Sequence, residues 1–149
     1  MKATELRIGN YITSGVNGIF NKDLMNTGRV LEIGLIDKKF EQIYCECEES
    51  FEWFFKDNYF GIPLTEEWLF KFGLVNHPND IPTYGKFFGD FDDDDYGYFF
   101  CVYQDLGGNF YAQIIGKKII LNSVHQLQNL YFAIAGEELK QRGKNQWWH

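Results

Sequence analysis

The side chains able to do chemistry fall into three sets: the thiols Cys45, Cys47 and Cys101, the imidazoles His77, His125 and His149, and two runs of carboxylates. Cys45 and Cys47 lack the second ligand pair of a structural zinc site, so they read as alternate, core-facing positions of a strand. Cys101 sits in the aromatic run Tyr98 to Tyr103, where burial raises a thiol's pKa, and this argues against a thiolate paired with His125. His77 falls in a Pro-Asn loop, His125 in the first turn of a helix and His149 at the last residue, without metal-ligand spacing. The aspartates fail as a calcium loop in either register. Counted from Asp90, the Gly position holds Asp95 and the bidentate Glu position holds Cys101. Counted from Asp92, Gly97 fits, but Tyr96 takes a ligand position and Tyr103 replaces the Glu. Gly107-Gly108 has neither G-x-G-x-x-G spacing nor a following helix. The residue types therefore point to no catalytic residue, no metal and no cofactor, and the chain is expected not to be an enzyme.

What the carboxylates can do is meet a basic partner. The chain has 149 residues and a net charge of −7, yet residues 41–95 hold 14 of its 21 acids and only three lysines. One run is Glu46, Glu48, Glu49 and Glu52. The other is Asp90, Asp92, Asp93, Asp94 and Asp95, interrupted by Phe91, followed by Tyr96 and flanked by Phe87, Phe88 and Tyr98. One use of such a stretch is to keep an aromatic-rich chain of 15 Phe, 9 Tyr and 4 Trp in solution. The other is an acidic surface with aromatic anchors, which speeds association with a nucleic-acid-binding protein and fits the Lys/Arg groove where phosphates lie. The eleven residues Asp90, Asp92 to Asp95, Glu46, Glu48, Glu49, Glu52, Phe91 and Tyr96 are the partner-binding candidates. A pI near 4.9 without a basic stripe argues against direct DNA binding.

Elements that would position these residues follow from the hydrophobic spacing. Residues 29–36 and 40–48 alternate as two strands around a polar turn at 37–39, with a shorter strand over Leu6 to Ile12 and a Gly/Asn-rich loop over 13–28. Thr65 followed by Glu66 and Glu67 starts a helix that Gly73 ends, with Leu64 stapled onto Leu69. A strand near Tyr84 to Phe91 leads to a meander of Tyr96 to Gln104, Asn109 to Ile115 and Lys118 to Leu121. Ser123 and Gln126 form a capping-box pattern for a second helix, Val124 to Ala135, whose apolar stripe is Val124, Leu127, Leu130, Tyr131 and Ile134. The segments sum to one α+β domain over 1–139 with a largely antiparallel sheet, followed by a basic, aromatic tail at 140–149. The first residues lack the apolar run of a signal peptide, no stretch approaches a membrane span, and three cysteines without C-x-x-C spacing suit a reducing compartment, so a cytoplasmic location is expected.

Three segments carry a resemblance: Leu6-Arg7-Ile8-Gly9-Asn10 within residues 1–12, Ile62-Pro63-Leu64-Thr65-Glu66-Glu67-Trp68 within 62–73, and Val124-His125-Gln126-Leu127-Gln128-Asn129-Leu130-Tyr131 within 124–139. Together they resemble a group of small uncharacterised proteins of Bacteroidetes bacteria, their phages and prophages. The acidic run 90–95 is outside the resemblance. Small acidic phage proteins commonly bind and block host machinery, anti-CRISPR proteins among them, so the resemblance implies a non-enzymatic inhibitor or modulator of a host nucleic-acid-handling protein. The expected partner is a basic protein or ribonucleoprotein, a CRISPR nuclease complex being one example. The alternatives are a self-associating interaction module and an enzyme whose site is assembled from distant residues.

Overall fold

A computed structural model describes residues 5–14, 27–36, 40–47, 51–55, 59–77, 79–89 and 98–141. The fold is α+β, with ten antiparallel strands in two five-stranded sheets and two helices among the described residues. The chain divides into two compact units, Met1–Pro63 with Ser123–His125, and Leu64–Asn122 with Gln126–His149.

In the first unit, the expected strand over Leu6 to Ile12 starts only at Tyr11. Gly9 adopts φ 96°, and the Asn10 side chain accepts from the Arg7 amide at 2.6 Å, closing a turn before the strand. This is the ordinary work of Gly and Asn side by side. β1 (Tyr11–Ser14) lies between β2 (Thr27–Ile36) and β5 (Tyr59–Gly61), and β3 (Phe40–Cys47) and β4 (Phe51–Phe55) extend the sheet beyond β2. The loop expected over 13–28 is thus shortened at both ends, and residues 15–26 lie outside the described residues. A register shift between Val30 and Glu32 interrupts the alternation of β2. Cys45 and Cys47 are buried with Leu6, Ile12, Val30 and Tyr59, the core-facing role that their spacing predicts.

The second unit begins with α1 (Glu66–Lys71). Thr65 is its N-cap and accepts from the Trp68 amide, and the acids Glu66 and Glu67 occupy the first turn. It ends in a Schellman motif: Gly73 (φ 85°) donates to the Phe70 carbonyl and Leu74 to that of Leu69, with both leucines buried. Five strands follow as a meander, β6 (Val75–His77), β7 (Thr83–Phe88), β8 (Tyr98–Gln104), β9 (Phe110–Ile114) and β10 (Lys117–Leu121), each hydrogen-bonded to the next. His77, expected in a loop, ends β6 opposite Thr83. The β8–β9 turn is organised by Asp105, which accepts from the Gly107 and Asn109 amides at 2.9 Å each; these bonds, that of Asn109 first, hold its carboxyl below the ordinary range. The β9–β10 turn is two residues long, Ile115 at φ 50° and Gly116 at φ 75°. That is the primed geometry matching strand twist, and Ile115 is a β-branched residue in the left-handed region.

α2 (Val124–Ala135) has the expected limits, and Gly136 closes it at φ 72°. At its start, Gln126 accepts from the amide of Asn122 at 2.9 Å. Tyr131 is the helix's main anchor, its ring edge-on to Phe88 and Phe100 and its hydroxyl donating to Glu137 at 2.9 Å. Ile134, expected on the buried stripe, is exposed. Of the expected tail, residues 142–149 lie outside the described residues.

Candidate functional site

Alternation along β7 decides what the sheet of the second unit shows to solvent. Tyr84, Lys86 and Phe88 share the face on which Tyr131 packs. Tyr84 meets Phe70 and Phe110 edge-on and donates its hydroxyl to Glu66; burial, reinforced by that carboxylate, pushes its phenol up to about 12. Lys86 donates to the Phe72 carbonyl at 3.1 Å. Thr83, Gly85 and Phe87 take the opposite face, together with Phe99, Cys101 and Tyr103 of β8 and Val75 and His77 of β6.

On that outward face the Phe99 ring lies across Gly85. A Cβ at Gly85 would stand 1.9 Å from the tip of the ring, so only glycine leaves room for it. Phe87 packs beside Phe99 with ring centroids 4.7 Å apart, and His77 meets its edge at 5.3 Å. Phe87 nevertheless remains 55% exposed, Phe99 40% and Tyr98 67%. Phe87 and Phe99 are therefore displayed on this face, whereas Tyr98, opposite Phe88 and stacked on it, takes the other; the acid-rich residues 90–95 join β7 to β8 in the sequence. The Cys101 thiol is pushed up by burial, against a smaller opposite pull from Tyr103, a direction that disfavours nucleophilic use.

The first unit carries a second aromatic cluster. Tyr44 packs on Trp53 with centroids 4.9 Å apart and on Phe51 at 6.0 Å, and both partners are exposed. Glu46, paired across the sheet with Phe51, receives the Arg29 guanidinium as an ion pair at 2.5 Å. Glu52 stands opposite Cys45, one step away from the pairing of Glu46. Its register position thus has the opposite parity.

Of the eleven partner-binding candidates, Glu46 and Glu52 fall within the described strands. Glu48, Glu49, Asp90, Phe91, Asp92, Asp93, Asp94, Asp95 and Tyr96 lie outside the described residues. Sequence reasoning missed the platform of Phe99 on Gly85 and the Tyr44–Trp53 pair. A glycine inside the strand run Tyr84-Gly85-Lys86-Phe87 is the signal that could have found the first.

Buried polar chemistry is concentrated at His125. Its ring is almost fully buried, with neither nitrogen hydrogen-bonded and the Glu5 carboxylate 3.7 Å away. Burial holds its pKa below the usual imidazole value, against the pull of Glu5. Gly61 packs directly on this ring. Among the described residues no three His, Cys, Asp or Glu side chains gather as a metal site requires, and no helix is long and apolar enough to cross a membrane. Comparison with protein-family models, curated proteins and solved structures finds no match for the chain.

Proposed function

We propose that this chain is a non-enzymatic binding protein of the mobile-element type that inhibits or modulates a host nucleic-acid-handling protein, for example a CRISPR effector, through an acidic surface flanked by aromatic side chains. The observation that carries the reading is the exposure of Phe87, Tyr98 and Phe99 at the strand ends joined by a sequence containing Asp90 and Asp92 to Asp95. Exposed rings supply contact area at small entropic cost, and clustered carboxylates steer a cationic partner towards them. No Lys or Arg occurs between Lys86 and Lys117, so the sequence around the rings offers a partner six acids and no competing base. The partner expected on these grounds is a basic protein or ribonucleoprotein whose phosphate-binding groove would receive the carboxylates in place of nucleic acid.

The test is affinity capture from a Bacteroidetes lysate at low and high salt, with wild type beside a variant carrying Asp92→Asn, Asp93→Asn, Asp94→Asn and Asp95→Asn. A nucleic-acid-handling protein retained at low salt, released at high salt and lost from the variant is the expected result. Retention that ignores both salt and the aspartates would remove the basis of the proposal.

A further inference from the structure

We propose that the first sheet pairs with a second copy of the chain along β4, edge to edge and antiparallel, about a twofold axis at Trp53. This goes beyond the binding of a host protein and uses none of the aspartates of 90–95. A strand at a sheet edge is a template on which another strand can add, and folded proteins blunt such edges with short strands, lysines or proline. Among the described residues four strands stand at edges, β4 and β5 in the first sheet, β6 and β10 in the second. Three of them are blunted. β5 and β6 are three residues long, and Pro78 follows β6 directly. β10 opens with Lys117 and Lys118, both exposed. β4 is the exception, with five residues, Phe51-Glu52-Trp53-Phe54-Phe55, and no lysine, arginine or proline.

The strand is its own complement. Antiparallel pairing centred on Trp53 sets Trp53 opposite Trp53 of the second copy, Phe51 opposite Phe55, and Glu52 opposite Phe54, so the one carboxylate of the strand does not face its own copy across the join. Sliding the register by two residues would place the two Glu52 positions directly opposite, and like charges there are destabilising. Phe51 and Trp53 share a face, remain 60% and 42% exposed, and both rest on Tyr44, at 6.0 and 4.9 Å between centroids. Braced rings of this kind lose little freedom on being covered. The charge beside the edge selects the same occupant. Glu46, opposite Phe51, already holds the Arg29 guanidinium at 2.5 Å, so a charged visitor finds its counterion taken, whereas an aromatic strand needs none. The join would continue five strands into a ten-stranded sheet. Five residues and two rings from each copy make a small contact of the weak, reversible class.

The experiment is sedimentation velocity on the full chain across a concentration series reaching about 1 mM, at low and high salt. A monomer–dimer equilibrium with a Kd of roughly 10–100 µM is expected. Two chains of net charge −7 repel one another, so added salt should tighten this dimer, the opposite of its effect on a basic partner. Phe51→Lys, at an exposed position, gives β4 the device that β10 carries and is expected to raise the Kd at least tenfold, with circular dichroism confirming the fold. Phe99→Ala on the second sheet should leave the Kd unchanged. The register is read by Trp53→Cys in a Cys101→Ser background: residues directly opposite in antiparallel strands lie about 4.5–5.5 Å apart, within disulfide reach, so diamide should join two copies through position 53. A chain that stays monomeric throughout, a dimer indifferent to Phe51→Lys, or the absence of a disulfide through position 53 would overturn the inference. A dimer lost in Phe99→Ala would overturn it as well and move self-association to the second sheet.

Discussion

The two sheets are built alike and differ in how they treat charge. Each has five antiparallel strands and each displays an aromatic cluster, Tyr44, Phe51 and Trp53 on the first, Phe87 and Phe99 on the second. On the first sheet the acid beside the rings, Glu46, already has a cation on a neighbouring strand, since Arg29 stands opposite it. On the second sheet the acids that follow the rings in sequence belong to a stretch without a single basic residue from position 87 to 116. An acidic aromatic surface that carries its own counterion has less to gain from a visitor than one that does not. The difference therefore separates two features that composition alone makes look equivalent.

The sharpest way to break this comparison uses the same substitution in both sheets. Gly61→Ala puts a Cβ 2.9 Å from His125 Cε1 and 3.1 Å from Ser123 Cβ, both held within a buried region, and is expected to destabilise the first unit by about 1–3 kcal/mol. Gly85→Ala meets only the tip of an exposed ring that can swing out, and is expected to change the denaturation midpoint far less. Equal losses in urea titrations would show that Phe99 is locked and not merely resting on its glycine.

A smaller and opposite effect is expected at the β9–β10 turn. Ile115 is 98% exposed and adopts φ 50°, a conformation that Asn tolerates much better than a β-branched residue. Ile115→Asn is expected to stabilise the fold by roughly 1 kcal/mol, seen as a raised denaturation midpoint. A drop would mean that the Ile115 side chain makes a contact that outweighs the backbone strain.

The subtlest expectation concerns pH, and it splits along the same divide. His125 of the first unit has a folded-state pKa held below its unfolded value near 6.5, so the unfolded chain takes up the proton first. Its contribution to stability is complete above that value and is lost as pH falls through the folded one. Tyr84 of the second unit is pushed up to about 12, so its contribution is complete below its ordinary value near 10 and is lost as pH rises towards 12. His125→Gln should flatten only the acid limb of the stability–pH curve, and Tyr84→Phe only the alkaline limb. A histidine variant that leaves the acid limb unchanged would move the origin of that limb to the carboxylates.

Much of the architecture was legible because it is written in local chemistry. Thr65 with its two following glutamates, Gly73, Gly136 and the Asp105-to-Gly108 turn each satisfy backbone groups within a few residues, and all are found where their spacing places them. Positions that depend on partners far away in sequence were less legible. The break in β2 alternation is set by its pairing with β3, and the turn before Tyr11 is held in part by Gly9 donating to the Val30 carbonyl. Of the candidate site, the sequence indicated acids and rings but not which rings share a face. Phe87 and Phe99 are twelve residues apart and meet only because Gly85 stands opposite Cys101. Glu46 and Glu52, grouped by proximity in the chain, take register positions of opposite parity.

The topology also dictates an order of assembly. Each strand from β6 to β10 bonds only to its neighbours in sequence, so this sheet closes short loops and can form quickly as the ribosome releases it. The first unit begins earlier on the chain but includes Ser123–His125, with Pro63 bridged to Ser123 and the Val124 amide donating to the Ile62 carbonyl. Its final hydrogen bonds must wait until more than a hundred and twenty residues have emerged. The half synthesised first is thus not closed when its own strands have emerged, and a truncated product ending before Ser123 would hold all five strands of the amino-terminal sheet yet lack the Pro63 and Ile62 bonds that belong to the same unit.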